Sequence, residues 1–314
     1  MLVLTRYLLQ KLFGPGIVGF TGNQSFMYLD LPSNMVGSFL MGWFAVVFKR
    51  DIAKVSEFLA LGLTTGYLGS LTNFSGWNQN MLDLSVEGNW AFVLLGFLVG
   101  FSFADYSFTI GIRSAKGFRW LLTRLNTSPE HHICNNSKRN WKVNTYKRHL
   151  AVMVVLVLML GLLWGVSAIL LKKEFDSGSS GSQLWLACMV GPLGVWIRWW
   201  LARLNGCGLG RAGLLKWIPL GTLIANVSAA CVMAALEIVK KVVNTKTCDN
   251  VAGGIQFGLL GCLSAVSTFI AEYHAMRESK HTWRAEAYAL ITIVTSFVLG
   301  SLIYSVPFWI REYR

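Results

Sequence analysis

The sequence predicts an all-α integral membrane protein. Two inverted four-helix repeats are joined by a central linking transmembrane helix, giving about nine spans, the first of them short. Three observations predict this. Of 314 residues, 54% are apolar and only 14% charged, where a soluble domain carries about 25% charged. The apolar residues fall in blocks of roughly twenty, the length that crosses a bilayer core as a helix. The chain also repeats itself at an offset of 192 residues.

In chain order, the blocks are Met1–Phe13, Leu31–Phe48, Phe58–Trp77 and Trp90–Ile112. Residues 1–112 form the first repeat. A basic stretch at 113–148 follows, expected to be partly unstructured and to face anionic lipid in the cytoplasm. His149–Leu171 is the most uniformly apolar block, with no polar residue from Ala151 to Leu163; it is the linking helix. After the Gly/Ser-rich connector Lys172–Gln183 come Leu184–Leu204, Trp217–Val239, Ala252–Met276 and Glu286–Ile303. Residues 184–305 form the second repeat.

The offset of 192 pairs Arg6 with Arg198, Leu9 with Leu201, Asn34 with Asn226 and Gly66-x-x-Gly69 with Gly258-x-x-Gly261. For the fourth spans an offset of 200 is expected, because it pairs Gly100 with Gly300. Four spans per copy plus one between them turn the second copy over, which is an inverted repeat. With the N-terminus in the cytoplasm, the inner segments carry seventeen Lys/Arg and the outer ones eight, as the positive-inside rule requires. Met1 aligns with Leu193, whereas the second copy's helix starts near Leu184, so the first helix is about nine residues short. Arg198 is expected near the membrane edge.

Composition also excludes. The net charge of +13 sits largely in one loop and has no aromatic-basic platform beside it, so nucleic acid is not the partner. The six cysteines form no C-x-x-C pair and suit small buried hydrophobes. Met1–Leu12 has neither the length nor the flanks of a signal peptide. His131, His132, Cys134 and His149 fit no common zinc spacing. No paired catalytic groups point to an enzyme. Asn23-Gln-Ser25 fits a glycosylation sequon, a triplet common by chance.

Three polar constellations lie inside the spans. Asn34 and Asn226 occupy equivalent places; each amide either bonds a neighbouring helix or lines a watery path. The third spans read Gly69-Ser-Leu-Thr72-Asn-Phe74-Ser75-Gly76-Trp77 and Gly261-Cys-Leu-Ser264-Ala-Val266-Ser267-Thr268-Phe269. These are small residues for close helix contact, or a broken helix whose carbonyls coordinate a cation. Tyr288, Thr292 and Ser296 put three hydroxyls on one helix face, either a donor row for a small anion or hydroxyls bonded back to the i−4 carbonyl. At the offset of 200 the first copy has Gly88, Phe92 and Gly96 there.

These residues, with Pro219-Leu-Gly221-Thr222-Leu-Ile-Ala-Asn226, Ser267-Thr268-Phe269-Ile-Ala-Glu272 and Gly191-x-x-Gly194-x-x-x-Arg198, resemble the eukaryotic fluoride exporters. Those are fused two-repeat relatives of the bacterial CrcB/Fluc fluoride channels, here of a plant-like form. The resemblance covers both copies and is stronger in the second. It implies passive, fluoride-selective export from the cytoplasm across the plasma membrane by a single chain, with the lipid bilayer and fluoride as partners. It places the fluoride pathway on Asn34, Asn226, Phe74, Phe269, Ser267, Thr268, Tyr288, Thr292 and Ser296. It places the family's paired phenylalanines on Phe74 with Trp77 and Val266 with Phe269, and an acidic residue on Glu272 with Asn80 as its counterpart. It implies a structural sodium ion held by the backbone carbonyls of Gly69, Thr72, Gly261 and Ser264. Fluoride is small and strongly hydrated, so amide and hydroxyl donors and the positive edge of a phenyl ring suit it. The missing first-copy hydroxyl row and the mixed aromatic pairs imply that one of two ancestral pores survives. The competing reading is a proton-coupled antiporter, for which Asp105 and Glu272 are the clearest membrane acids.

Overall fold

In the computed structural model, residues 2–22, 25–126, 145–176, 181–208 and 215–311 are described. Helix α1 is Leu2–Phe13, and α2 is Leu31–Met41, continued by a π turn over Gly42–Val47. A bend of 69° leads into α3, Lys49–Val55. The third segment is α4 (Glu57–Leu61), a π stretch Gly62–Leu68, α5 (Gly69–Leu71) and α6 (Phe74–Val86). Helix α7, Trp90–Asn126, completes the first copy, and α8, Thr145–Asp176, links the copies.

The second copy repeats the plan. Helix α9 is Gly181–Leu201 and α10 is Leu220–Val243. Then come α11 (Lys246–Ile255), a π stretch Gln256–Leu260, α12 (Gly261–Leu263) and α13 (Val266–Arg277). Helix α14 is Trp283–Ile303 and α15 is Ser305–Arg311. The described residues are thus all-helical, in nine segments that run back and forth. Six stretches are long and apolar enough to cross a membrane alone, and the bent α2–α3 pair makes a seventh. The other two segments are α1, of 12 residues, and the broken α4–α6. The chain is a multi-pass membrane protein.

Three expectations are corrected. The stretch 113–148 is not all loop, because α7 runs 37 residues to Asn126, about 55 Å at 1.5 Å per residue. Residues 113–126 are rich in Arg, Lys and Leu, which favour helix, and the first proline is Pro129. Apolarity marks where a bilayer would end, not where the helix ends. Helix α8 likewise starts at Thr145, ahead of His149. The basic residues between 127 and 144, with His131, His132 and Cys134, lie outside the described residues, as do Asn23, Arg211 and Arg314.

The second correction concerns register. The fourth spans keep the offset of 192. Trp77 bonds the Gly96 carbonyl where its counterpart Phe269 meets Tyr288, and Phe108 meets His274 where Gly300 meets Leu82. The counterparts of Tyr288, Thr292 and Ser296 are therefore Gly96, Gly100 and Ala104, not Gly88, Phe92 and Gly96. Matching Gly100 to Gly300 misled because helices need glycine wherever a neighbour presses close, irrespective of ancestry.

The third concerns Arg198, which is not at an edge. It is buried in the bundle, as is Arg6.

Glycines set how closely the helices approach. A Cβ on Gly111 would lie 2.2 Å from the Phe39 carbonyl, and one on Gly194 would lie 2.2 Å from that of Leu259. The linking helix is the least buried span, and a Cβ on its Gly165 would touch nothing. Gly111→Leu should therefore lose about 1–3 kcal/mol of stability through overpacking. Gly165→Ala should be neutral or gain up to about 1 kcal/mol. Thermal unfolding of the two variants in detergent measures both.

Candidate functional site

Each third segment breaks at mid-length. Thr72 and Asn73 are extended (φ/ψ −94/153 and −139/103), as are Ser264 and Ala265 (−85/146 and −146/118). A break inside a membrane frees backbone groups that must find partners within the protein. Here the two Asn amides supply some of them. The Asn34 Oδ1 accepts from the Asn73 N–H at 2.8 Å, and the Asn226 Oδ1 accepts from the Ala265 N–H at 2.9 Å.

The two broken segments cross, and each caps the other. The Ser267 N–H donates to Thr72 Oγ1 at 3.1 Å, and the Ser75 N–H donates to Ser264 Oγ at 3.0 Å. The hydroxyls also pair, Thr72 with Ser267 at 3.1 Å and Ser75 with Ser264 at 3.0 Å. Each relation maps onto the other at an offset of 192. Ser75, which the offset of 192 pairs with Ser267, is a site residue left out of the expected pathway although its counterpart is placed in it.

The wider turns of the π stretches have their own partners. Arg198 Nη2 donates to the Thr65 carbonyl at 2.6 Å and to Ser70 Oγ at 2.9 Å. Arg6 donates to the Phe257 carbonyl and, through Nη1, to the Gly261 carbonyl at 2.9 Å. Thr65 and Phe257 are again 192 apart. Each copy's arginine thus satisfies carbonyls of the other copy's third segment.

Around this centre lie two three-helix groups, each mixed between copies. Helices α10 and α14 pack with α6, and α2 and α7 with α13, while α13 also packs on α14 and α6 on α7, so both broken segments line both groups. In the first group Asn226 is buried and its Nδ2 meets no partner among the described residues; the same holds for Ser296 Oγ. Tyr288 donates its hydroxyl to Glu272 Oε2 at 2.8 Å, and Thr222 donates to Glu272 Oε1 at 2.6 Å. Thr292 bonds back to the Tyr288 carbonyl at 2.8 Å, so this one hydroxyl follows the local alternative. The Phe269 ring is edge-on to Tyr288 at 5.3 Å and to Phe74 at 5.9 Å. Thr268 is half-buried on the first turn of α13.

The second group is filled. Asn34 Nδ2 donates to Tyr28 Oη at 2.9 Å, and Tyr28 stacks on Trp77 at 5.7 Å. Trp77 donates to the Gly96 carbonyl at 3.2 Å and lies against Gly100; Met81 lies against Gly96. Aromatic rings and a thioether occupy the face where α14 carries hydroxyls. Tyr28 sits in a loop, and nothing in the spacing of the spans pointed to it.

Gly69 to Leu71 and Gly261 to Leu263 end at the crossing, so their carbonyls are the negative ends of two short helices. The four carbonyls of Gly69, Thr72, Gly261 and Ser264 are hard, neutral oxygen donors, which suit an alkali cation better than a transition metal. The Gly261 oxygen also accepts from Arg6, but a carbonyl has two lone pairs, so the set fits. Among the described residues no three His, Cys, Asp or Glu gather as a metal site, and His149 instead meets Ser56 Oγ at 3.3 Å.

Residues 3–112 and 185–303 match the family described as CrcB-like protein, Camphor Resistance (CrcB). The chain is 30% identical over 112 residues to the fluoride-specific ion channel FluC 2 of Listeria monocytogenes, covering 36% of this chain and 81% of that protein. It is 35% identical over 114 residues to fluoride-specific ion channel FluC 1 of Staphylococcus epidermidis, covering 36% and 82%. Each bacterial relative thus has about the length of one repeat. No solved structure matches the chain.

The crossing makes a prediction. Thr72→Val removes the acceptor of the Ser267 N–H and should cost about 1–3 kcal/mol, the penalty of an unmet buried group. Because the two residues share a bond, Thr72→Val with Ser267→Ala should cost less than the sum of the single changes. Thermal unfolding of the four proteins gives the coupling.

Proposed function

This chain belongs to the CrcB-like family, and from that premise we propose that it is a passive, fluoride-selective channel that exports fluoride from the cytoplasm. Relatives named as ion channels give no support to a proton-coupled exchanger, and that reading is not carried forward. The observation that carries the detailed proposal is the unequal fate of two equivalent amides. Asn226 keeps a buried, unpartnered N–H donor, while the same donor of Asn34 is held by Tyr28.

In this proposal one path survives, along α10 and α14 with α6 and α13 beside them. Fluoride enters beside Glu272, Thr222 and Tyr288, passes the edges of Phe269 and Phe74 with the Ser267 and Thr268 turn alongside, and moves along Thr292 and Ser296 past Asn226. Donors replace part of its hydration shell, and no formal positive charge holds it in place. The rings and hydroxyls are fixed by packing, which favours a small anion over chloride. Asn34 caps a helix and does not conduct.

We also propose that a sodium ion is held by the carbonyls of Gly69, Thr72, Gly261 and Ser264. When bound, it supplies fixed positive charge at mid-membrane and so eases an anion's passage. The fused, plant-like form has both repeats in one chain, so one chain suffices. We place its N-terminus in the cytoplasm and the protein in the plasma membrane, where the inside-negative potential drives export.

The test is fluoride release from liposomes carrying the purified chain, read with a fluoride electrode, with chloride as control. Fast fluoride release without chloride release is expected. Asn226→Ala should slow it at least about tenfold, as befits the loss of one hydrogen bond to an anion. Asn34→Ala should cost about 1 kcal/mol of stability as a lost helix cap while leaving flux within about threefold, under 1 kcal/mol in barrier. Equal loss of flux in both variants refutes the single path.

A further inference from the structure

Asn78 has no role in the pathway inherited from the family pattern, yet it is the least explained buried polar residue of the conducting group. It lies on α6, one turn beyond Phe74, and is 1% exposed. Neither its Nδ2 nor its Oδ1 has a hydrogen-bond partner among the described residues. An amide buried in a membrane and left unpaired on both sides is costly. Such a group persists where something that comes and goes uses it.

Its direction identifies what that is. A Cβ built on Gly300 would lie 3.2 Å from Asn78 Nδ2. Gly300 continues the stripe of Tyr288, Thr292 and Ser296 by one more turn, and Ser296 Oγ is also unpartnered. The next position in the stripe is the buried Tyr304, whose hydroxyl accepts from Lys241 Nζ at 2.6 Å. Asp83 and Glu237 also stand near that hydroxyl. The stripe therefore runs from Glu272 at one end to this charged cluster at the other, and Asn78 faces it at Gly300, one turn before Tyr304. The absence of a side chain at position 300 leaves the amide room.

The other copy sharpens the inference. At the offset of 192 the counterpart of Asn78 is Ile270, which is buried in the apolar core with α2 and α7. The polar residue is present only where the first copy's α6 faces the second copy's polar stripe. The filled group has the hydrocarbon. Close packing does not require this difference, because Asn and Ile both fit a buried helix face.

We propose that Asn78 and Ser296 form an anion-binding station on the Gly300 side of Asn226, with the Asn78 Nδ2 and the Ser296 hydroxyl donating to fluoride. The diverged first repeat thus supplies a ligand to the surviving path. This rests on the channel reading above.

Liposome fluoride efflux and unfolding temperature are measured for the wild type and for Asn78→Leu, Asn78→Ser and Asn78→Ala. Leucine has the same branched shape and no donor. It should slow fluoride efflux at least about tenfold, the cost of one charge-assisted hydrogen bond, while the unfolding temperature stays level or rises. Serine restores a donor and should return efflux to within about threefold of the wild type, while alanine should not. Wild-type efflux in Asn78→Leu overturns the proposal and leaves the channel reading standing. Slow efflux with a lower unfolding temperature and no rescue by serine also overturns it, since Asn78 is then structural. Should the leucine variant not fold, equal efflux from the serine and alanine variants overturns it. A wild type that releases no fluoride refutes the channel reading itself, and this proposal with it.

Discussion

The structure depends on one constraint: a helix broken in the middle of a membrane must have its freed backbone groups satisfied from within the protein. Two such breaks, at Thr72 and Ser264, lie against each other. Each is capped by the other copy through Ser267 and Ser75, and by its own copy through Asn34 and Asn226. The buried guanidiniums of Arg6 and Arg198 take the carbonyls of Phe257 and Thr65 that the π stretches expose. The serine bonds, the asparagine bonds and the arginine bonds to Thr65 and Phe257 each have an image 192 residues away, and the serine and arginine bonds cross between copies, so each copy draws on the other. The half-helices of one repeat need the hydroxyls of the other, so the two repeats are parts of a single centre.

That dependence separates what can diverge from what cannot. The centre has to stay symmetric, since losing one hydroxyl strands a donor in the opposite copy. The faces of α7 and α14 are under no such tie. One carries Gly96, Gly100 and Ala104 beneath Trp77 and Met81, and the other carries Tyr288, Thr292 and Ser296. Tyr28 closes the first group by taking the Asn34 amide and stacking on Trp77. The symmetric amide keeps its helix-capping oxygen in both copies and differs only in what its nitrogen does.

Much of this was legible in the sequence. Apolar block lengths revealed the spans, and identity at one offset revealed the repeats and the paired asparagines. Small polar residues ahead of an aromatic marked the breaks. What failed has physical causes. A glycine match put the fourth spans in the wrong register, because Gly300 serves local packing with Leu82 and Asn78 rather than marking descent. Arg198 was expected at an edge, because a lone cation in an apolar block suits snorkelling; its bonds to the Thr65 carbonyl and Ser70 Oγ come from a segment 128 and 133 residues away. The mixing of copies within each three-helix group is a tertiary fact that no spacing along one span encodes.

The unpaired donors bind these points together. A buried polar group without a partner costs about 1–3 kcal/mol, and native proteins keep few of them. Here Asn226 Nδ2, Ser296 Oγ and the Asn78 amide, all unpartnered among the described residues, lie on the three helices of a single group. In the group related to it by the offset, Asn34 is bonded, and Ala104 and Ile270 have no polar side chain to satisfy. The other group has unpartnered atoms too, at Ser38, Asp105 and His274, but none of them is on a residue equivalent to Asn226, Ser296 or Asn78. A small anion in transit is the kind of acceptor that would use such donors and then leave them. A fixed partner at each one would improve stability and, in the proposed reading, close the way, as the Tyr28 hydroxyl does for the Asn34 amide.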